Sequence, residues 1–208
     1  QRLFAHPAVN GGTVDQIAMA VDRLAKTPHS RRAVATTTMP DLDVFLKEDV
    51  PCLREVQLRC PEDAAGNLVL NMNTTWRSRD LYKAWPDNVI ALTFLQQILA
   101  RQIAERAGRP VRVGSYADYS GAMHIYGQNF GAVGGDAARG LSSFFDVFDE
   151  ETYLARSLTS EMASDMLVLP QMKALLSERS IEQWKFPPRA IDTIHTLIHD
   201  IENGILTV

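Results

Sequence analysis

Cysteine is scarce: Cys52 and Cys60 are the only two in 208 residues. Two cysteines cannot build a disulfide framework, and these lack the spacing of a zinc site. The default expectation is a reduced, cytoplasmic setting. Long apolar runs are also missing, so no segment is expected to cross a membrane, and no signal-peptide pattern opens the chain. Excess positive charge is absent: 21 Lys and Arg against 25 Asp and Glu leave a net charge of -4. That balance argues against a general nucleic-acid binder. There is no phosphate-loop or dinucleotide fingerprint and no internal repeat. His195 and His199 are four apart, but no third ligand accompanies them. They read as a solvated helix face, and no metal is expected. What remains is the composition of an ordinary globule, 46% hydrophobic and 22% charged. The length suits one domain, residues 1–208, with a real core.

Hydrophobic spacing lays out that core. Residues 1–12 are broken by Pro7 and Gly11-Gly12. Thr13 and Gln16 form a capping-box pattern ahead of a helix whose buried stripe is Ile17, Val21 and Leu24. After Thr27-Pro28 come Ser30-Arg31-Arg32 and a β-prone run, 33–38. Adjacent arginines entering a strand face opposite ways; either one binds phosphate or both are a charged strand end. A short helix and loop are expected over 41–50. Val56, Leu58 and Cys60 then alternate with polar residues, and Leu68, Leu70, Met72, Thr74 and Trp76 alternate on the return. Residues 52–77 therefore read as a hairpin with Cys52 and Arg77-Ser78 together at its open end. Cys60 fits a small core residue. Cys52 fits that role less well, because nearby arginines favour a thiolate.

The stretch Trp76 to Asn88 joins this hairpin to the most apolar helix, expected over 87–107. Val89, Leu92, Leu95, Leu99 and Ile103 lie on one face, widened by Ile90, Phe94 and Ile98, so the helix should be buried. Gly108 and Pro110 end it. Arg77 and Ser78 pair a planar cation with a hydroxyl, as a phosphate site wants. The Asn88 carboxamide carries a donor and an acceptor that can match the edge of a pyrimidine. The plainer alternative is a solvated loop before a helix started by Pro86. A strand over 111–119 follows, then Gly121. His124 and Tyr126 share one side of an extended segment; they hold a sugar hydroxyl, or they are polar tips of a half-buried strand. Further on, a glycine-rich loop is expected over 130–140. Helices are expected over 142–158 and 162–176, and from Pro188, with Ile191, Ile194, Ile198 and Ile201 inward.

These separated features together resemble the thymidylate synthases and the related pyrimidine deoxynucleotide hydroxymethylases. Asp15-Gln16-Ile17 with Pro28-His29-Ser30-Arg31-Arg32 is similar to the family's helix and arginine pair, and Pro51-Cys52 to its nucleophile motif. Arg77-Ser78-x-Asp80, Pro86 and Asn88 match its phosphate and base motif. Gly114, Tyr116, Gly121, His124 and Tyr126 match its sugar-binding motif without a gap. The match covers about residues 1–130.

The resemblance implies an α+β fold: a mixed β-sheet with a long buried helix packed on it, pairing sheet to sheet in a homodimer. It implies catalysis by Cys52 and Asn88, with the Cys52 thiolate adding to carbon 6 of the base. It also implies a pyrimidine deoxynucleotide monophosphate substrate and 5,10-methylenetetrahydrofolate as the one-carbon donor. Asn88 would hold the base, Arg77 and Ser78 the phosphate, and Arg31 and Arg32 the phosphate of the other subunit. His124 and Tyr126 would hold the sugar, and Asp80 would face the folate. Nucleic acid and membranes are not expected partners.

There are departures. Ala122 stands where the family has an aspartate, Trp76 where it has a glutamine, and Ala84 where it has a glycine. The synthases' apolar tail has no counterpart in Ile205-Leu206-Thr207-Val208, and the family's N-terminal segment has none in this chain. Three readings follow: methylation of dUMP, favoured by Asn88; hydroxymethylation of dUMP or dCMP, kept open by Asp87; and a truncated, non-catalytic nucleotide-binding relative.

Overall fold

The structure is a computed structural model that describes residues 2–46, 50–130, 160–186 and 188–205. It divides into two compact units, 1–127 and 128–208. All the candidate site residues fall in the first.

The first unit is built on a four-stranded mixed sheet in the order β3-β4-β5-β7. Strands β3 (Val34–Thr36), β4 (Leu53–Arg59) and β5 (Leu68–Trp76) are successively antiparallel. Strand β7 (Val111–Ser120) runs parallel to β5, and the connection between them carries helix α3 (Ala84–Ala107). A parallel neighbour needs such a crossover, whereas the β4–β5 hairpin closes through a short turn. In that turn the Asp63 carboxylate accepts the backbone N–H groups of Ala65 and Asn67, which hold it below the usual carboxylate range.

The core lies where sequence alternation places it. Val56, Leu58 and Cys60 of the β4 arm are buried, as are Leu68, Leu70, Met72, Thr74 and Trp76 of β5. Ile17, Ala20, Val21 and Leu24 of helix α1 (Gln16–Lys26) pack against them, together with Leu92, Leu99 and Ile103 of α3. The long helix is thus buried along one side, as its apolar pattern requires. Gly108 closes it in the left-handed conformation, φ 67°, with its N–H on the Ala104 carbonyl.

Three boundaries differ from the sequence expectation. Asp15, rather than Thr13, caps α1, accepting the Ala18 N–H at 2.8 Å. Thr13 is instead taken into a two-stranded ribbon, β1 (His6–Pro7) with β2 (Thr13–Val14). Gln16 does not complete a capping box: its amide donates to Thr36 O and accepts from Thr36 N, tying α1 to β3. Helix α3 begins at Ala84, three residues earlier than expected, because Pro86 is tolerated within a first helical turn.

Strand β7 contains a β-bulge. Leu70 pairs with Val113, but Met72 pairs with Tyr116, so Gly114 and Ser115 together face Asn71. Side chains close the irregularity. Asn71 Oδ1 accepts the Ser115 N–H at 2.9 Å. The fully buried Gln96 of α3 donates its amide to Leu70 O at 2.7 Å and to Ser115 O at 3.1 Å. Carbonyls that the ladder leaves over are therefore satisfied from the helix.

The second unit is helical where described: Ser160–Ala163, a π-turn at Ser164–Val168, Leu169–Leu175, Glu178–Trp184 and Pro188–Glu202. The helix Glu178–Trp184, capped by Ser177, was not expected from spacing. Ile198 and Ile201 are buried, and His195 and His199 are exposed. Of the loop expected over 130–140, Phe130 ends a short 3-10 turn, Gly127–Phe130, and the rest, with the helix expected over 142–158, lies outside the described residues.

Candidate functional site

The chain converges at one end of the sheet, where β4 begins and where the parallel strands β5 and β7 finish. Cys52 is exposed in the turn before β4. Its carbonyl accepts the Arg77 N–H at 2.8 Å, and Arg77 Nη2 donates to Val50 O at 2.9 Å. The hairpin register, Leu53 opposite Trp76, brings the thiol-bearing turn and the arginine together.

A second, two-stranded pairing lies beside this end. Strand β6 (Arg79–Asp80) runs parallel to β8 (Met123–His124), with Asp80 opposite His124. Arg79 N donates to Ala122 O and Leu81 N to His124 O. Gly121 makes the approach feasible. Its N–H reaches Trp76 O at 2.8 Å, and a Cβ there would stand only 3.3 Å from Arg77 O. Ser78 Oγ and His124 Nδ1 are consequently 3.5 Å apart, at the outer limit of a hydrogen bond. The His124 and Tyr126 rings meet edge to face at 4.8 Å. Asp80 is almost buried, and its Oδ1 accepts the Tyr82 N–H at 3.0 Å. The exposed Leu81 and Tyr82 adjoin it.

Cys52, Arg77, Ser78, Asp80, His124 and Tyr126 are thus gathered at or beside this sheet end. Asn88 is half-buried in the second turn of α3, eight residues after Asp80, and among the described residues no hydrogen bond ties its side chain to the others. Adjacent helix residues point about 100° apart, so Asn88 and its exposed neighbour Asp87 cannot read the same edge.

Arg31 and Arg32 lie elsewhere. They are exposed just before β3, whose first residue, Val34, is opposite Gln57. Gln57 is five residues up β4 from Cys52, about 17 Å at the rise of a strand. The two arginines therefore stand at the far end of the sheet from the same chain's Cys52 and Arg77.

A buried polar cluster beneath this end was not expected from the sequence. Arg79 is 2% exposed, and its Nη1 is 3.0 Å from Asp118 Oδ2. The pair is close enough for charge attraction, but none of the guanidinium nitrogens reaches hydrogen-bond alignment with a described acceptor. Arg79 also lies over the Trp76 ring, 3.9 Å from its centroid. Trp76 Nε1 donates to Thr74 Oγ1, which meets the Tyr116 hydroxyl at 3.1 Å. Burial pushes the Tyr116 phenol above its ordinary range, against the opposing pull of the Thr74 hydrogen bond. The only sequence signal was the second arginine of Arg77-Ser78-Arg79-Asp80.

The two thiols differ sharply. Cys60 is fully buried, and loss of solvent pushes its pKa up to about 11 from 9.0, with nearby Arg109 opposing weakly. A pKa raised on folding means that stability is complete below the unfolded value and declines as pH rises from 9.0 to about 11. At pH 8 a thiol reagent should label Cys52 alone in the native protein and reach Cys60 only on denaturation. Mass analysis of the labelled peptides checks this, and equal labelling of both in the native state would contradict it.

Among the described residues no three His, Cys, Asp or Glu side chains cluster to hold a metal, and no described helix is long and apolar enough to cross a membrane. The family model described as thymidylate synthase matches residues 1–146. Curated relatives named "Putative thymidylate synthase" include one from Methanothermobacter marburgensis, 33% identical over 117 residues, covering 56% of this chain and 47% of that protein. One from Methanocaldococcus jannaschii is 32% identical over 130 residues, 61% of this chain and 53% of the relative. One from Methanopyrus kandleri is 36% identical over 113 residues, 54% and 49% respectively. The chain spans about half the length of these relatives.

Proposed function

Because the chain belongs to the thymidylate synthase family, we propose that it transfers a one-carbon unit to carbon 5 of a pyrimidine deoxynucleotide, foremost methylating dUMP to dTMP. The observation that carries this reading is the direct backbone link between Cys52 and Arg77 at the sheet end that also holds Ser78 and His124. A soft nucleophile beside a phosphate-binding pair is what covalent activation of a nucleotide requires.

In this reading Arg77 and Ser78 hold the phosphate, and His124 and Tyr126 hold the sugar hydroxyl. Asn88 binds the base edge, its amide nitrogen donating to oxygen 4 and its oxygen accepting from the N–H at position 3. Cys52 sulfur adds to carbon 6, and the electron pair of the carbon 5–carbon 6 double bond moves so that carbon 5 becomes nucleophilic. Once carbon 5 has taken the one-carbon unit and its own hydrogen has left as a proton to solvent, expulsion of the Cys52 thiolate restores the double bond. The residues fit a folate. Asp80 keeps Oδ2 without a partner among the described residues, and Leu81 and Tyr82, which follow it in the chain, expose apolar surface. Bound there, 5,10-methylenetetrahydrofolate would supply the one-carbon unit and, for a methyl product, the hydride.

The position of Arg31 and Arg32 supports a homodimer in which each subunit lends its arginines to the other's phosphate. The outward face of the sheet, where Val34, Ala117 and Tyr119 are exposed, is the surface through which it would pair.

The test is to incubate the protein with dUMP or dCMP and methylenetetrahydrofolate and weigh the product. A methyl gain supports this reading and a hydroxymethyl gain supports the hydroxymethylase alternative. Absence of both products, with the nucleotide still bound, indicates a non-catalytic relative. Asn88→Asp turns the donor facing oxygen 4 into an acceptor, a cost of roughly 1–3 kcal/mol for uracil. Cytosine presents an amino donor instead. Asn88→Asp should therefore weaken dUMP use and raise relative dCMP use, read as the ratio of catalytic efficiencies. Asp87→Asn should change that ratio little.

A further inference from the structure

Asp118 accounts for a feature that the nucleotide reading leaves unexplained: how the first turns of α3 are held against the segment from Ser78 to Asp80. Three elements meet at its carboxylate. Asp118 sits on β7, paired with Thr74, and its side chain is 12% exposed. Oδ2 faces Arg79 Nη1 at 3.0 Å, and Arg79 lies in β6 between Ser78 and Asp80. The same Oδ2 accepts Trp85 Nε1–H at 3.3 Å, and Trp85 is in the first turn of α3. Asn88 follows three residues later, close to one helical turn, on the same side of the helix as Trp85. No side chain caps the start of α3: Lys83 occupies the cap position without a side-chain hydrogen bond. A helix start with no cap needs another tether if it is to hold one orientation.

We propose that Asp118 is a positioning residue, its carboxylate joining Arg79, which follows Ser78 directly in the chain, to Trp85 of the base-reading helix and so fixing Asn88 relative to Ser78. The proposal rests on the nucleotide reading of those side chains. Arg79 is the rigid half of the joint, because it is clamped between the Trp76 ring and the carboxylate and has no room to swing. Trp85 is the half that transmits: its ring packs at the helix start and its N–H sets the angle. An uncompensated buried guanidinium is costly, so the carboxylate also keeps Arg79 from distorting β6.

Asp118→Asn is the obvious variant, but it strands a buried cation and can unfold the unit. Trp85→Phe leaves the Arg79–Asp118 pair and a six-membered aromatic ring in place and removes the N–H together with the five-membered ring that carries it. The experiment measures dUMP and dCMP dissociation constants and the melting temperature for wild type and Trp85→Phe, on the full chain. If Asp118 positions Asn88, Trp85→Phe should narrow the dUMP-to-dCMP affinity ratio by about fivefold, the equivalent of losing one well-aligned hydrogen bond. Two results would overturn the proposal while leaving the nucleotide reading standing: an unchanged ratio with a lower melting temperature, or equal weakening of both nucleotides. Either would make the contact purely structural. Failure of wild type to bind either nucleotide would sink the nucleotide reading itself, and the positioning role with it.

Discussion

Cys52→Ser is expected to leave no detectable transfer to carbon 5 while dUMP still binds. The serine hydroxyl ionises far less readily than the thiol, and among the described residues no base is in hydrogen-bond contact with the side chain of position 52 to activate it. Affinity should persist because the proposed phosphate, sugar and base contacts are assigned to Arg77, Ser78, His124, Tyr126 and Asn88, none of which the substitution alters. Product mass and a dUMP binding isotherm read the two halves separately. Cys60→Ser is the control. It loses only packing within the core, on the order of 1 kcal/mol, and should keep activity. Equal turnover in Cys52→Ser and wild type would remove the covalent mechanism.

The largest expected loss of stability comes from a position with no polar chemistry. Gly114→Ala places a methyl group 2.1 Å from Asn71 Oδ1, 2.6 Å from Val69 Cγ1 and 3.0 Å from Leu70 O. The first two atoms belong to side chains and can move, but Asn71 cannot leave without giving up the Ser115 N–H. The backbone carbonyl of Leu70 is already held by Gln96. Overpacking of this kind costs about 2–3 kcal/mol, partly offset by the lower entropy of an unfolded alanine chain, about 0.5 kcal/mol. A thermal melt should show Gly114→Ala several degrees below wild type, with Asn71→Ala intermediate. No change on Gly114→Ala would mean that the bulge relaxes freely.

Much of this fold is legible in the sequence, for a physical reason. Strands β4 and β5 have one face in the core, so Val56, Leu58 and Cys60, then Leu68 through Trp76, alternate cleanly, and the turn residues between them announce the hairpin. The hairpin pattern by itself sets Cys52 beside Arg77, as the register shows. Local pattern fails where tertiary structure competes for the same residue. Thr13 and Gln16 have a capping-box spacing, yet β2 takes the threonine and β3 takes the glutamine amide. The distance of Arg31 and Arg32 from Cys52 is set by the antiparallel direction of β3, which nothing local encodes. The Arg79–Asp118–Trp85 cluster was hidden for a different reason, and the cause lies in β7.

In β7 the odd-numbered Val111 and Val113 pair with Leu68 and Leu70, whereas beyond the bulge the even-numbered Tyr116, Asp118 and Ser120 pair with Met72, Thr74 and Trp76. Side chains alternate with a period of two, so one extra residue exchanges the two faces for everything that follows. The strand is in effect written in two reading frames spliced at Gly114-Ser115. Removing one residue at the splice would only erase the bulge and leave Asp118 opposite Thr74, whereas removing Ala117 beyond it would send Asp118 outward and turn the exposed Tyr119 toward the core. Point substitutions can drift along most of β7, but a change of length there would be read as a frameshift in space, and the residues around the candidate site lie downstream of it.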